Sequence, residues 1–234
     1  MATIASNIQQ VHAQRVAACS AAGRPAQSVT LLVVSKTHPA DAVREAVAAG
    51  EREFGENYVQ EGLDKIAALA DLRAELIWHL IGPLQSNKTR SVAEHFDWVH
   101  TVDRLKIAER LADQRPAHLP PLQVCLQVNI SQQASKHGVA PADALALAQQ
   151  IDALPRQRLQ LRGLMAIPEP AADPVAQRAP HRALRELLSH LTAHGLALDT
   201  LSMGMSADLS AAIAEGATLV RVGSAIFGAR APVL

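Results

Sequence analysis

Aromatic side chains are scarce in this sequence, which has two Trp, one Tyr and three Phe among 234 residues. Six aromatics supply few platforms for stacking bases, and 22 basic side chains against 22 acidic ones give no overall positive field. Nucleic acid is therefore not an expected partner. The core must be built from Ala, Val, Leu and Ile, which suits packed α/β layers better than a β-sandwich.

Long apolar runs, thiol pairs and metal-ligand patterns are also missing. Stretches such as residues 29–34 are far shorter than the 18 or so residues of a membrane span, and the N-terminus carries no apolar signal region. The two cysteines, Cys19 and Cys125, are far apart and have no nearby histidine pattern. We therefore expect a cytoplasmic protein that binds neither membrane nor metal, with both thiols serving only in packing.

His190 and His194 have the spacing of two ligands on one helix face. No glutamate follows His190 and the sequence offers no third ligand, so we interpret both as surface histidines.

No low-complexity segment, charge block or Ser/Gly linker interrupts the chain, so residues 1–234 are expected to form one domain. An opening helix is predicted over residues 2–22, packed on the rest of the domain, because Ile4, Ile8 and Val11 follow a helical spacing. Gly23-Arg24-Pro25 provides the stop signal.

Beyond this helix, apolar strands and amphipathic helices alternate. The eight predicted strands are residues 29–35, a short strand through Phe54, and residues 76–81, 98–101, 122–129, 161–167, 198–203 and 218–222. Asp103 is a predicted N-cap for a helix over residues 104–113, and Ser206 stands at another N-cap position.

Eight units of about 25 residues match the arithmetic of a (β/α)8 barrel of the TIM type, the predicted fold class. An open doubly wound sheet is the alternative, but it usually has five or six strands and often a glycine-rich first turn. The first turn here, residues 35–38, contains no glycine.

In a barrel, function resides where the strands end. Lys36 directly follows the first apolar strand. It is either a solvated charge or an amine held at the barrel mouth, where it could form an imine.

The seventh and eighth strands end in Met203-Gly-Met-Ser206 and Arg221-Val-Gly-Ser224. Small residues and a hydroxyl before a helix favour an anion, and barrels often bind phosphate after strands seven and eight. Ordinary N-caps and tight turns would explain either segment alone. Strands eight and one become neighbours when a barrel closes, so Lys36 opposite these turns suits an aldehyde that carries a phosphate.

Several longer motifs resemble those of one protein family. They are Val33-Val-Ser-Lys-Thr37, Phe54-Gly-Glu-Asn-Tyr-Val-Gln-Glu61, Trp78-His-Leu-Ile-Gly-Pro-Leu-Gln-Ser-Asn-Lys88, Arg162-Gly-Leu-Met165, Gly204-Met-Ser206 and Arg221-Val-Gly-Ser-Ala-Ile-Phe-Gly228. In this order they resemble the YggS/PROSC-type pyridoxal 5′-phosphate homeostasis proteins, which share the fold-type III barrel of alanine racemase.

The resemblance implies that pyridoxal 5′-phosphate (PLP) is the cofactor and that Lys36 is its Schiff-base lysine. It further implies roles for two sets of residues: Ser206, Gly223 and Ser224 hold the phosphate while Arg221 faces the pyridine nitrogen, and Asn57, His79 and Met203 line the pocket. His38 is a departure, because members often have lysine there, but it begins a helix outside the expected cofactor contacts.

Catalysis is not expected. Two-base racemisation needs a second proton carrier, which in the racemase is a tyrosine from a C-terminal domain of the partner subunit. This chain ends at Leu234, just after the eighth strand, and its one tyrosine, Tyr58, does not match that position. An arginine at the ring nitrogen donates a hydrogen bond without giving up a proton, which leaves the ring a weak electron sink.

The resemblance thus implies a monomeric protein of vitamin B6 homeostasis that buffers or delivers PLP, with PLP-dependent apoenzymes as possible recipients. Two alternatives stay open: a PLP-dependent racemase or lyase with an unidentified second base, and a lysine-imine aldolase without a cofactor. Lys136, after the fifth strand, is either a second aldehyde-reactive amine or a solvated loop lysine.

Overall fold

Eight parallel strands close into a barrel in which each strand pairs with the next along the chain. The computed structural model describes residues 3–132 and 137–228. The strands are β1 (Thr30–Val34), β2 (Glu53–Glu56), β3 (Ile77–Leu80), β4 (Trp98–Val102), β5 (Leu122–Gln127), β6 (Leu159–Met165), β7 (Thr200–Ser202) and β8 (Leu219–Val222). Pairing of β1 with β8, with Val33 opposite Val222, completes the closure. The prediction of a (β/α)8 barrel is confirmed, and the doubly wound alternative is wrong.

Helices follow the strands around the outside. They are α1 (Ile4–Ala21), α2 (Ala40–Ala48), α3 (Val59–Ala68), α4 (Thr89–His95), α5 (Leu105–Gln114), α6 (Ala144–Asp152), α7 (Pro174–Ala193), α8 (Leu209–Ala214) and α9 (Ser224–Phe227). No helix in the described part of the chain is long and apolar enough to cross a membrane.

The predicted opening helix is present as α1. Thr3 and Ser6 form a capping box at its N-terminus, in which each side chain accepts from the other residue's backbone N–H. The helix packs against α2, α8 and α9, and Asn7 donates a hydrogen bond to the Ile226 carbonyl at 2.8 Å. It therefore ties the beginning of the barrel to its last strand–helix unit.

Two predicted N-caps are wrong. Asp103 accepts a hydrogen bond from the Arg104 side chain, and α5 begins one residue later than predicted with Arg104 at its N-cap position. Ser206 does not cap α8, because that helix begins at Leu209 with Asp208 at the N-cap position. The Asp208 carboxylate instead accepts from the Met205 backbone N–H and pairs with His181.

Apolar side chains of the strands and helices form one large core, with Phe54, Trp78 and Phe96 among its fully buried members. A separate small cluster of Leu32, Val34, Ile81 and Leu219 lies inside the barrel. Cys19 and Cys125 are buried and unbridged, as expected for packing thiols. Burial raises the pKa of the Cys125 thiol to about 12, which keeps it protonated and unreactive.

Candidate functional site

A cavity of about 220 Å³ opens at the carboxyl ends of the strands. Its lining comprises Val34, Lys36, His38, Asn57, Ile81, Ile167, Met205, Ser206, Arg221, Gly223, Ser224 and Gly228. Six of the eight residues predicted for the site are in this list: Lys36, Asn57, Ser206, Arg221, Gly223 and Ser224. Residues from both ends of the sequence meet here because β8 pairs with β1.

The charge of this lining has one sign. It contains the Lys36 amine, the Arg221 guanidinium and the hydroxyls of Ser206 and Ser224, and none of the described lining residues is acidic. A small cavity with cationic groups, hydroxyls and an apolar wall suits an anionic organic molecule.

Two glycines shape the opening of the cavity. A side chain at Gly223 would place its Cβ 2.8 Å from the Val34 carbonyl oxygen, so the end of β8 approaches β1 closely only because no side chain is present. Gly204 has a φ of +93°, and a Cβ there would lie 2.5 Å from that of Ala212. The two turns predicted from Gly204 and Gly223 thus bring backbone and hydroxyls to the cavity edge.

His79 and Met203 do not line the cavity. Successive side chains on a strand point to opposite faces, so His79 shares the inward face of Ile81 and lies one layer below it, fully buried. Met203 is fully buried within the large core, and Met205, beyond the turn at Gly204, lines the cavity instead.

His38 was expected outside the cofactor contacts, and the structure differs. The first residue of α2 is Ala40, so His38 belongs to the turn after β1 and lines the cavity together with Lys36. Its ring stacks on that of Phe227, with 4.8 Å between the centroids. An imidazole is thus part of the candidate site.

Arg221 crosses the barrel interior and is 4% exposed. Its Nη1 donates to Ser202 Oγ at 2.7 Å, and its Nη2 donates to the Ala166 carbonyl at 2.8 Å. Ser202 Oγ also lies 2.8 Å from His100 Nδ1, and His100 Nε2 lies 2.9 Å from His79 Nδ1. We call Arg221, Ser202, His100 and His79 the interior chain.

The donor-only guanidinium fixes the direction of one hydrogen bond in the interior chain, in which Arg221 donates and the Ser202 oxygen accepts. The hydroxyl keeps a second lone pair and one proton, so toward His100 Nδ1 it either donates or accepts, according to the tautomer of the ring. When Ser202 donates, the neutral His100 ring carries its proton on Nε2 and donates it to His79 Nδ1. His79 Nε2, at the end of the interior chain, lies 3.1 Å from Glu53 Oε2 without hydrogen-bond alignment.

Burial sets the charge of this chain. Desolvation, with smaller contributions from His79 and Arg221, lowers the pKa of His100 well below its ordinary value, so this ring is neutral. Desolvation also lowers the pKa of Arg221 to about 10, with Asp208 and Cys125 acting in the opposite direction. The guanidinium remains charged at neutral pH, and the two groups that accept its hydrogen bonds, the Ser202 hydroxyl and the Ala166 carbonyl, are neutral.

Lys36 is presented by a strained turn. The next residue, Thr37, has a φ of +67°, in the left-handed region that β-branched residues rarely adopt. Such a conformation costs about 1–3 kcal/mol and persists only where the surroundings hold it. Contacts from β2 and α3 hold this turn, as described below.

Sequence reasoning missed five residues around the site: Glu56, Glu61, Lys65, His100 and Ser202. A signal existed for the last two, since polar side chains at inward positions of predicted strands must find partners inside a barrel. No comparable signal marks Lys65, because a lysine four residues after a glutamate on a helix is typical of a solvated ion pair. Lys136, considered as a second reactive amine, lies outside the described residues.

Comparison with known proteins identifies the family. Residues 6–231 match the family model of the alanine racemase N-terminal domain. A pyridoxal phosphate homeostasis protein from Pseudomonas aeruginosa is 64% identical over 230 residues, covering 98% of this chain and 97% of that protein. The protein of the same name from Escherichia coli is 54% identical, with 98% of each chain covered.

Among solved structures, PipY from Synechococcus elongatus with PLP bound is 43% identical and has a TM-score of 0.80. The match covers 93% of this chain and all of PipY. Fold, motifs and identity over almost the whole length lead to one conclusion: the chain belongs to the family of the alanine racemase N-terminal domain, in the group whose curated members are called pyridoxal phosphate homeostasis proteins.

Proposed function

We propose that this protein binds PLP as a Schiff base on Lys36 and acts in vitamin B6 homeostasis by buffering or delivering this reactive aldehyde. The observation that carries the proposal is the meeting of one primary amine, one guanidinium and two hydroxyls in a cavity whose described lining has no carboxylate. PLP combines the groups that such a lining accommodates, an aldehyde and a phosphate. The PLP-bound structure of PipY supports the same ligand.

Each group of the lining has a proposed role. Ser206, Ser224 and the backbone at Gly223 hold the phosphate, since hydroxyl and N–H donors make charge-assisted bonds to it. The fit is supported by Gly223, where a Cβ would occupy the space between β8 and β1. Arg221 donates toward the ring nitrogen, and Asn57 lines the pocket.

Bound PLP would supply a reversible bond to amines. The protein's own contribution is to hold the phosphate, present Lys36 and keep a donor without a transferable proton at the ring nitrogen. Ser202 and the Ala166 carbonyl fix that donor in place. We propose storage or transfer to apoenzymes by a cytoplasmic monomer without appreciable turnover, in keeping with the name of its relatives.

His38 favours a second candidate function. It lines the cavity with Lys36, and an imidazole is a competent proton carrier near neutral pH. A racemase or lyase in which His38 acts as the second base is therefore the alternative.

Borohydride reduction of the PLP-loaded protein tests the proposal. We expect a yellow protein and, after reduction and peptide mapping, a phosphopyridoxyl group on Lys36. Lys36→Ala should abolish the label while far-UV circular dichroism stays unchanged. The matched control is Lys106→Ala, which removes an exposed lysine on α5 and should label normally. Label on Lys136 or another lysine would overturn the assignment.

The same preparation separates the two functions. With saturating PLP in deuterated water, L-amino acids should exchange their α-proton no faster than with free PLP. Stereospecific exchange that depends on Lys36 would establish an enzyme, and its loss in His38→Ala would identify the second base.

A further inference from the structure

The turn that carries Lys36 is held on both sides of the lysine. On one side, Ser35 Oγ donates to Glu56 Oε1 at 2.5 Å. On the other, the backbone N–H of Thr37 donates to Glu61 Oε1 at 2.5 Å. The bond to Glu61 fixes the residue whose positive φ sets the direction in which the chain leaves Lys36.

One buried ammonium joins these two carboxylates. Lys65 Nζ lies 2.7 Å from Glu56 Oε1 and 2.7 Å from Glu61 Oε1, and it donates a third bond to the Ser35 carbonyl at 2.6 Å. An ammonium has three donors, so Lys65 is fully used. We call Lys65, Glu56 and Glu61 the lysine cluster.

The lysine cluster is an expensive arrangement. Lys65 is 5% exposed and Glu56 is fully buried, and burying such charges costs more than a surface pair returns. Burial raises the pKa of Glu56, while Lys65 and Ser35 act in the opposite direction. An apolar contact between β2 and α3 would pack the same space, so stability alone does not account for three ionisable groups behind this turn.

The positions of these three ionisable side chains around the Lys36 turn explain their presence better. Glu56 ends β2, and Glu61 and Lys65 lie one helical turn apart on α3. Through Ser35 and Thr37 these elements grip the backbone immediately before and after Lys36. We propose that the lysine cluster is a positioning device that holds the Ser35–Thr37 backbone in its strained form and thereby directs the Lys36 amine into the cavity.

This inference rests on the proposed function, but it is testable in the protein without PLP. The informative variant is Glu61→Ala, because the Glu61 side chain is partly exposed and its loss leaves the buried Lys65–Glu56 pair in place. Glu61→Gln is the conservative variant, since its amide oxygen can still accept from Thr37. Asp71→Ala is the matched control, which removes a carboxylate from an exposed pair with Arg44.

Two measurements on the PLP-free protein are needed. The rate of Lys36 acetylation by limiting acetic anhydride, followed by mass spectrometry from pH 6 to 10, reports the environment of the amine. Hydrogen exchange at the Thr37 amide reports the turn itself. We expect Glu61→Ala to change the acetylation rate of Lys36 about fivefold or more and to accelerate Thr37 exchange about tenfold or more, with both near wild type in Glu61→Gln and Asp71→Ala.

Unchanged acetylation and exchange in Glu61→Ala would overturn the positioning role. Equal effects in Glu61→Ala and Asp71→Ala would also overturn it, since they would reflect general loosening. If the acetylation and exchange results are as expected but PLP labels no lysine, the proposed function fails and the positioning role stands. If PLP labels Lys36 and the variants behave alike, the reverse holds.

Discussion

Two networks of polar side chains lie beside the cavity, and each holds one part of the candidate site in place by different means. Behind β1, the lysine cluster uses three ionisable side chains to hold a strained backbone. Inside the barrel, the neutral Ser202 hydroxyl and Ala166 carbonyl hold the charged Arg221 side chain. The comparison teaches that carboxylates are used where a strained backbone must be held, and that neutral acceptors are enough where the side chain to be held is itself charged.

Substitutions in the two arrangements should lower the free energy of unfolding by different amounts. Removing one partner of a buried ion pair leaves an uncompensated charge and costs about 3–5 kcal/mol. Removing a neutral acceptor such as the Ser202 hydroxyl leaves a donor without its partner and costs about 1–3 kcal/mol.

The largest effect is expected for Lys65→Met, which leaves Glu56 and Glu61 without their shared cation. The free energy of unfolding in urea should fall by about 3–5 kcal/mol at pH 7. Lys106→Met, on the exposed face of α5, is the control and should change it by less than about 0.5 kcal/mol. A loss below about 1 kcal/mol for Lys65→Met would mean that the lysine cluster is not ionised as described.

A smaller effect is expected for Ser202→Ala, which removes the acceptor of Arg221 Nη1 and the hydroxyl bonded to His100 Nδ1. The same urea measurement should show a loss of about 1–3 kcal/mol. Ser210→Ala, an exposed serine on α8, serves as the control. If Ser202→Ala costs as much as Lys65→Met, the contrast between charged and neutral groups is wrong.

The smallest effect concerns pH. His100 is neutral and buried when folded, and its lowered pKa means that the unfolded chain binds a proton that the folded one does not. The contribution of His100 to the free energy of unfolding therefore does not change above about pH 6.5. It falls as the pH drops below that value, by up to about 2 kcal/mol at pH 5. His100→Gln can accept from Ser202 and donate to His79, so it should flatten this dependence. Parallel pH curves for both proteins would contradict the neutral state of His100.

Much of the fold and of the candidate site could be predicted from the sequence. What could not be predicted has a physical reason. Strand periodicity predicted the barrel, Lys36 and the two glycine turns at the ends of the seventh and eighth strands, because all strand ends lie on one face of a barrel, and the family resemblance added Asn57 and the roles of the other lining residues. Neither source of prediction could show that His79 and Met203 are buried rather than at the cavity, since a shift of one layer along a strand moves a side chain from the cavity into the interior. The lysine cluster was hidden because burial of Lys65 depends on how α3 docks on β2, which no local pattern encodes.

The pairing of β1 with β8 has a consequence for the order of events during synthesis. Lys36 leaves the ribosome well before Arg221, Gly223 and Ser224, which are made more than 180 residues later. Contacts between such distant segments form late in folding, because the intervening chain must first be closed into a loop. A nascent or opened barrel therefore carries a lysine without the groups proposed to hold the phosphate, so only the finished barrel should retain the aldehyde.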